Sequence, residues 1–110
     1  MNAKLDRFTI KTRMGDVRIT GLVSDPFALH FTQATIEDDT FAVTHVPTGF
    51  AVETGMSRED AEWLLGQCEQ ARTFFDGLES PAKMSPQLKK WGREVRKQIK
   101  ARQDARGESA

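Results

Sequence analysis

The chain has 110 residues, of which 38% are hydrophobic and 29% are charged, a composition typical of one folded domain with a single modest core. No apolar run approaches the ~20 residues that a membrane-spanning helix needs, and the N-terminus lacks the apolar stretch of a signal peptide. The one cysteine, Cys68, excludes an internal disulfide, and together these facts predict a cytoplasmic protein.

The charges are distributed unevenly along the chain. Residues 1–80 carry 7 basic and 13 acidic residues and so a net charge of −6, whereas residues 81–110 carry 9 basic and 3 acidic residues and a net charge of +6. The formal net charge of zero therefore conceals an acidic body and a basic C-terminal segment.

The first half of the chain has the pattern of five short strands. Apolar and polar residues alternate, as where Phe8 and Ile10 fall on one face, and turn-forming residues such as Gly15, Pro26 and Pro47 separate the runs. The predicted strands lie at 5–12, 17–21, 27–32, 41–46 and 50–54. Because tight turns join antiparallel neighbours, the sequence predicts an antiparallel meander.

Two helices are predicted after the strands. Ser57 is an N-cap, and apolar residues at helical spacing run from Ala61 to Phe75. After a linker, Ser85 and Pro86 begin a second helix that continues to about residue 103. The fold prediction is α+β: an antiparallel five-stranded β-meander covered by one helix, followed by a second, basic amphipathic C-terminal helix. Residues 1–80 form the sheet-and-helix core, and residues 81–110 form the linker and C-terminal helix of the same single domain.

The sequence favours a non-enzymatic protein. Its two histidines, His30 and His45, fall in predicted strands, and Cys68 falls on the apolar stripe of the first helix, where cysteines usually act as small hydrophobic side chains. No phosphate-binding glycine loop or nucleophile elbow is present. We therefore predict no catalytic residue, no cofactor and no metal site.

The leading functional hypothesis is a protein-binding module. Trp91, Val95 and Ile99 follow Leu88 in a narrow apolar stripe, the pattern of a groove-docking face or of a homodimer seam through the C-terminal helix. Packing against the first helix is the alternative. A second predicted contact patch, for a basic partner such as a host nucleoprotein complex, consists of Glu37, Asp38 and Asp39.

The alternative hypothesis is a nucleic-acid-binding accessory protein. The basic residues of the second helix could neutralise phosphates, although we expect helical geometry to scatter them over its exposed surface and the acidic body to repel DNA. These residues are Lys89, Lys90, Arg93, Arg96, Lys97 and Lys100.

One segment resembles a known group of proteins. The hairpin 41–52, with Val-Thr-His-Val-Pro-Thr-Gly at residues 43–49, leads into Ser57-Arg58-Glu59-Asp60-Ala61. This pattern resembles small phage and prophage accessory proteins, anti-CRISPR-like inhibitors of host defence among them. The resemblance implies a virus-encoded inhibitor that acts by steric or electrostatic blocking, and it assigns no functional residue.

Overall fold

The computed structural model, which describes residues 3–31 and 40–105, confirms the α+β prediction. Each strand pairs antiparallel with its neighbour in sequence, so the order across the sheet is β1-β2-β3-β4-β5. The strands are β1 (Lys4–Thr12), β2 (Gly15–Ser24), β3 (Phe27–Phe31), β4 (Phe41–His45) and β5 (Phe50–Met56), and the helices are α1 (Arg58–Gln70) and α2 (Pro86–Ala105). The predicted acidic patch of Glu37, Asp38 and Asp39 lies outside the described residues.

The two faces of the sheet carry separate apolar clusters. Along β3, Phe27 and Leu29 face the helices, whereas Ala28 joins Phe8 and Ile10 in a smaller cluster on the opposite face. The larger cluster contains the buried side chains of α1 and α2. The main core therefore lies between the sheet and both helices.

The sheet curls toward its smaller cluster. The Lys11 backbone N–H donates to the carbonyl of Gly49 at 2.8 Å, which joins β1 to the turn between β4 and β5. Gly21 allows the curl, because a Cβ there would lie 2.6 Å from the Leu29 carbonyl oxygen and 2.9 Å from the Phe8 ring. The concave side is consequently a cleft rather than a flat surface.

Helix α1 begins where the sequence predicts and ends earlier. The Ser57 hydroxyl accepts from the Asp60 N–H at 3.2 Å, so Ser57 is the N-cap. The α-helix stops at Gln70, and a 3-10 helix spans Arg72–Phe75, where we had predicted one continuous helix. The tighter winding accompanies the packing of Phe75, whose ring meets Phe27 edge-on at 4.9 Å between centroids.

Helix α2 docks on the core of its own chain. Leu88, Val95 and Ile99 are at most 4% exposed and belong to the same cluster as α1. The prediction of Val95 and Ile99 as partner contacts is therefore wrong, because their side chains are already buried inside the chain. The same burial leaves no α2 seam of these residues for the predicted homodimer.

A buried ion pair fixes the C-terminal end of α2 to the start of α1. Asp60 is fully buried, and its Oδ1 accepts from Arg102 Nε at 2.9 Å. The Arg102 guanidinium also lies over the Trp63 ring, 5.0 Å from its centroid. Asp60 thus belongs to the interior of the fold.

Neither of the α-helices that the structure describes, α1 and α2, is both long enough and apolar enough to cross a membrane.

Candidate functional site

Six of the seven cations of α2, all but Arg102, lie on one side of the helix, which we call the basic face. Four of them, Lys89, Arg93, Arg96 and Lys100, are spaced by four, three and four residues, and positions so spaced lie above one another on a helix. Lys90 and Lys97 extend the face away from the sheet. The expectation that these cations scatter over the whole exposed surface is therefore wrong, because the buried stripe occupies the other side.

One member of the basic face is tied to the sheet. Arg96 Nη2 donates to the Val52 carbonyl at 3.2 Å, and its Nε lies 3.7 Å from Glu53 Oε2. Val52 needs this donor because β5 is bulged here: Val43 pairs with Glu53 and Thr44 pairs with Ala51, so Val52 is the extra residue. Arg96 thus caps the outer edge of β5.

A largely apolar recess of about 310 Å³, which we call the α2 groove, lies beside the basic face. Its walls come from the turn and strand at 48–52, the segment 75–84 and the first turns of α2. Lys89, Arg93 and Arg96 border it. The apolar lining residues are Phe50, Ala51, Val52, Phe75, Leu78, Pro81, Met84, Leu88 and Trp91.

Trp91 is held in the wall of the groove by its contact with Phe75. The Trp91 ring meets Phe75 edge-on, with 5.5 Å between centroids, and the residue is half-buried. Of the three predicted contact residues on α2, Trp91 alone lines the groove. Beyond Arg96 the surface continues into a second recess, where Glu53 and Asp104 face Arg96 and Lys100. Of these two recesses, the α2 groove is therefore the one whose lining carries an excess of positive charge.

His45 contributes a polar atom to the apolar wall. The Thr48 hydroxyl donates to the His45 carbonyl at 3.2 Å and accepts from the Phe50 N–H at 3.3 Å. With the one hydroxyl hydrogen of Thr48 directed to the His45 carbonyl, the 3.1 Å contact between His45 Nδ1 and Thr48 Oγ1 has Nδ1 as its donor. The other ring nitrogen, Nε2, is then an acceptor with a lone pair.

The concave side of the sheet carries the second histidine. His30 Nδ1 donates to the Phe31 carbonyl at 2.8 Å, so its Nε2 accepts from the Thr44 hydroxyl at 2.7 Å. A hydroxyl that donates to a histidine is the arrangement of an activated nucleophile. Thr44, however, is only 1% exposed, so a substrate cannot reach its hydroxyl oxygen. A cleft of about 640 Å³ lies over His30 and Thr44. Both ring nitrogens of His30 are hydrogen-bonded within the chain, so we interpret the pair as a structural contact.

Thiol chemistry and metal binding are two further candidate chemistries. Burial raises the pKa of the Cys68 thiol, with the nearby Glu69 carboxylate adding to the effect, so the reactive thiolate is suppressed. Within residues 3–31 and 40–105, no group of three or more His, Cys, Asp or Glu side chains could hold a metal ion.

Both histidines make folding sensitive to acid. Burial lowers the pKa of His30, against a smaller opposing effect of its bond to the Phe31 carbonyl, and burial also lowers the pKa of His45. The unfolded chain then binds protons first as the pH falls through about 6.5. We expect the free energy of unfolding from urea titrations to decrease between about pH 7.5 and about pH 5.

A variant comparison isolates the histidine contribution to that acid sensitivity. The double variant His30→Gln/His45→Gln should lose less of its own stability over the same pH interval, whatever its stability at neutral pH. If its pH dependence equals that of the wild type, carboxylates and not the histidines are responsible.

The sequence held one usable signal for the site. The spacing of Lys89, Arg93, Arg96 and Lys100 marks a single helix side, and helical geometry could have revealed it. The apolar walls gave no such signal, because they join three stretches that are distant in sequence. The position of His45 as a wall residue likewise depends on the tertiary fold.

No family model, no curated protein and no solved structure matches the chain.

Proposed function

We propose that this chain is a non-enzymatic protein-binding module that holds an acidic, apolar-bearing segment of another protein in the α2 groove. The observation that carries the proposal is the junction of an apolar recess with three cations of one helix side, Lys89, Arg93 and Arg96. Apolar walls supply burial for a side chain, and a cationic border selects acidic neighbours.

The geometry favours recognition through side chains and not through strand addition. A partner strand on β5 would need a regular row of outward backbone groups. The edge is bulged at Val52, the Val52 carbonyl is bonded to Arg96, and the Thr54 N–H is bonded to the Glu53 carboxylate at 3.0 Å. An apolar side chain inserted into the groove leaves these contacts intact.

The groove also distinguishes an acidic protein segment from nucleic acid. A duplex is held by phosphate contacts along an extended basic surface. Here Arg96 is paired with Glu53, Lys97 Nζ lies 3.8 Å from Glu94 Oε1, and residues 1–80 carry a net charge of −6. An acidic peptide with an apolar anchor uses both features of the groove, whereas a duplex uses the cations alone.

The test is charge reversal at the border of the groove. We expect Lys89→Glu/Arg93→Glu to weaken binding of short fluorescein-labelled acidic peptides that carry one aromatic residue, because two attractions become repulsions. The expected loss in affinity is at least about thirtyfold at low salt, measured by fluorescence anisotropy. Thermal unfolding should stay close to wild type, since both side chains are exposed.

The matched control is Lys90→Glu/Lys97→Glu, which reverses the same number of charges on the part of the basic face outside the groove. It should change peptide affinity by less than about fivefold. If both double variants weaken peptide binding equally, the groove is not the binding site and the proposal is wrong. If labelled duplex DNA binds more tightly than every peptide and both double variants reduce DNA binding equally, the chain acts through nucleic acid and the proposal is also wrong.

An inhibitory role would follow from this binding. The resemblance to small phage accessory proteins implies that such a protein blocks a host complex in the cytoplasm. Occupancy of the α2 groove by an acidic segment of that complex would hold this module against it and hinder its surface sterically.

A further inference from the structure

The wall of the α2 groove contains a buried histidine, His45, one of whose ring nitrogens has no hydrogen-bond partner among the residues that the structure describes. His45 is 3% exposed and lines the groove. Its ring packs against two neighbouring rings, with centroid distances of 5.7 Å to Phe27 and 5.1 Å to Phe75, and its Nδ1 is hydrogen-bonded to the Thr48 hydroxyl. These contacts hold the ring in position.

The free atom of this ring is Nε2. Among residues 3–31 and 40–105, no group forms a hydrogen bond with Nε2. The buried side-chain atoms that have neither a hydrogen-bond partner nor contact with solvent do not include Nε2. Nε2 is therefore not sealed from solvent, and the residue that carries it lines the groove. Because burial lowers the pKa of His45, the ring is neutral at neutral pH, and in the tautomer with its proton on Nδ1 the Nε2 atom accepts a hydrogen bond and does not donate one.

A ligand that fills this groove has to supply a donor. A buried acceptor left without a partner is unfavourable, so a site with such an atom discriminates against ligands that lack the donor. Lysine and arginine are disfavoured as anchors by the cations Lys89, Arg93 and Arg96. Small polar side chains would leave the apolar walls formed by Leu78, Pro81 and Met84 unfilled. The indole N–H and the phenol O–H each combine a large apolar ring with one donor.

We propose that His45 is the specificity-determining residue of the α2 groove, and that its Nε2 accepts a hydrogen bond from a tryptophan or tyrosine side chain of an acidic partner segment. This inference rests on the proposed function and adds the identity of the anchor. The anchor ring lies against the apolar wall, and the acidic residues on either side of it face Lys89 and Arg93.

The experiment compares acidic peptides that differ in one group. A peptide with a single central tryptophan is matched by the same peptide with 1-methyltryptophan, which keeps the ring and lacks the N–H, and by one with phenylalanine. We expect the tryptophan peptide to bind the full chain about tenfold more tightly than either control, measured by fluorescence anisotropy. The ¹⁵N resonance of His45 Nε2 should shift with the tryptophan peptide alone.

A variant pair tests the same atom from the side of the protein. His45→Phe removes the acceptor and keeps an aromatic ring beside Phe27 and Phe75, so it should bind the three peptides with equal affinity. His45→Gln restores an acceptor near the position of Nε2 and should recover part of the preference for tryptophan. Circular dichroism confirms that both variants are folded before their affinities are compared.

The outcomes separate this inference from the proposed function. If tryptophan and 1-methyltryptophan peptides bind the wild type within about twofold, and Lys89→Glu/Arg93→Glu still weakens both, His45 is a structural residue and the groove proposal stands. If none of the peptides binds at low salt, both proposals are overturned. A preference for tryptophan that persists in His45→Phe also overturns the role of His45.

Discussion

A Val95→Asp substitution is expected to abolish the cooperative unfolding transition of this protein at room temperature. Val95 is 4% exposed in the core shared by the sheet, α1 and α2. A carboxylate there would be buried without a partner, which costs several kcal/mol, and the total stability of a domain of this size is about 5–15 kcal/mol. Urea unfolding followed by circular dichroism measures the effect.

The control for Val95→Asp lies one turn away on the same helix. Gln98 is exposed, and Gln98→Asp introduces the same charge and should change the free energy of unfolding by about 0.5 kcal/mol or less. Light scattering supplies the contradicting outcome. If Val95→Asp keeps the wild-type transition and merely converts a dimer into a monomer, the apolar stripe of α2 is an intermolecular seam and its docking on the core is wrong.

The second large effect is expected at the ion pair between the two helices. An Arg102→Ala substitution should lower the free energy of unfolding by about 3 kcal/mol, because it removes the guanidinium that neutralises a fully buried carboxylate. The loss of the contact with the Trp63 ring adds to the effect. Urea unfolding at neutral pH measures the change.

The matched control for Arg102 is Arg58→Ala. Arg58 Nε also donates a hydrogen bond to a carboxylate, Glu62 Oε1 at 3.2 Å, but more than half of each side chain is exposed. Such a pair contributes about 0.5 kcal/mol or less. Equal losses in the two variants would show that Asp60 does not depend on Arg102 and that α2 is held by its apolar side chains alone.

The strands and helices could be predicted because their signals are local. Turn residues at Gly15 and Gly49 and the caps Ser57 and Ser85 mark boundaries within a few residues of the observed ones. The docking of α2 could not be predicted, since a stripe of four apolar residues fits the chain's own core and a partner surface equally well. The burial of Val95 and Ile99 decides between these two possibilities, and this burial is visible only in the tertiary structure.

The candidate site depended still more on the tertiary fold. Arg102 has the spacing of the buried stripe, three residues after Ile99, but nothing local pairs it with Asp60, 42 residues earlier. The recess beside α2 needs the bulge of β5, which re-aims Val52, and the short 3-10 helices of the segment 72–83. Neither the bulge nor the short 3-10 helices have a recognised sequence pattern, so the groove could not be predicted from the sequence. The basic face could be predicted in part, because the helical spacing of its cations is a local signal.

The central claim, that an acidic protein segment binds in the α2 groove, is tested most directly by mapping the contact in solution. An ¹H–¹⁵N NMR titration with the tryptophan-bearing acidic peptide should shift the indole N–H of Trp91 and the backbone amides of Val52, Leu78 and Arg93. The amides of the concave cleft, such as that of Thr44, should stay in place. Shifts confined to the concave cleft or to the Lys90 and Lys97 side of α2, with the groove unperturbed, would contradict the claim.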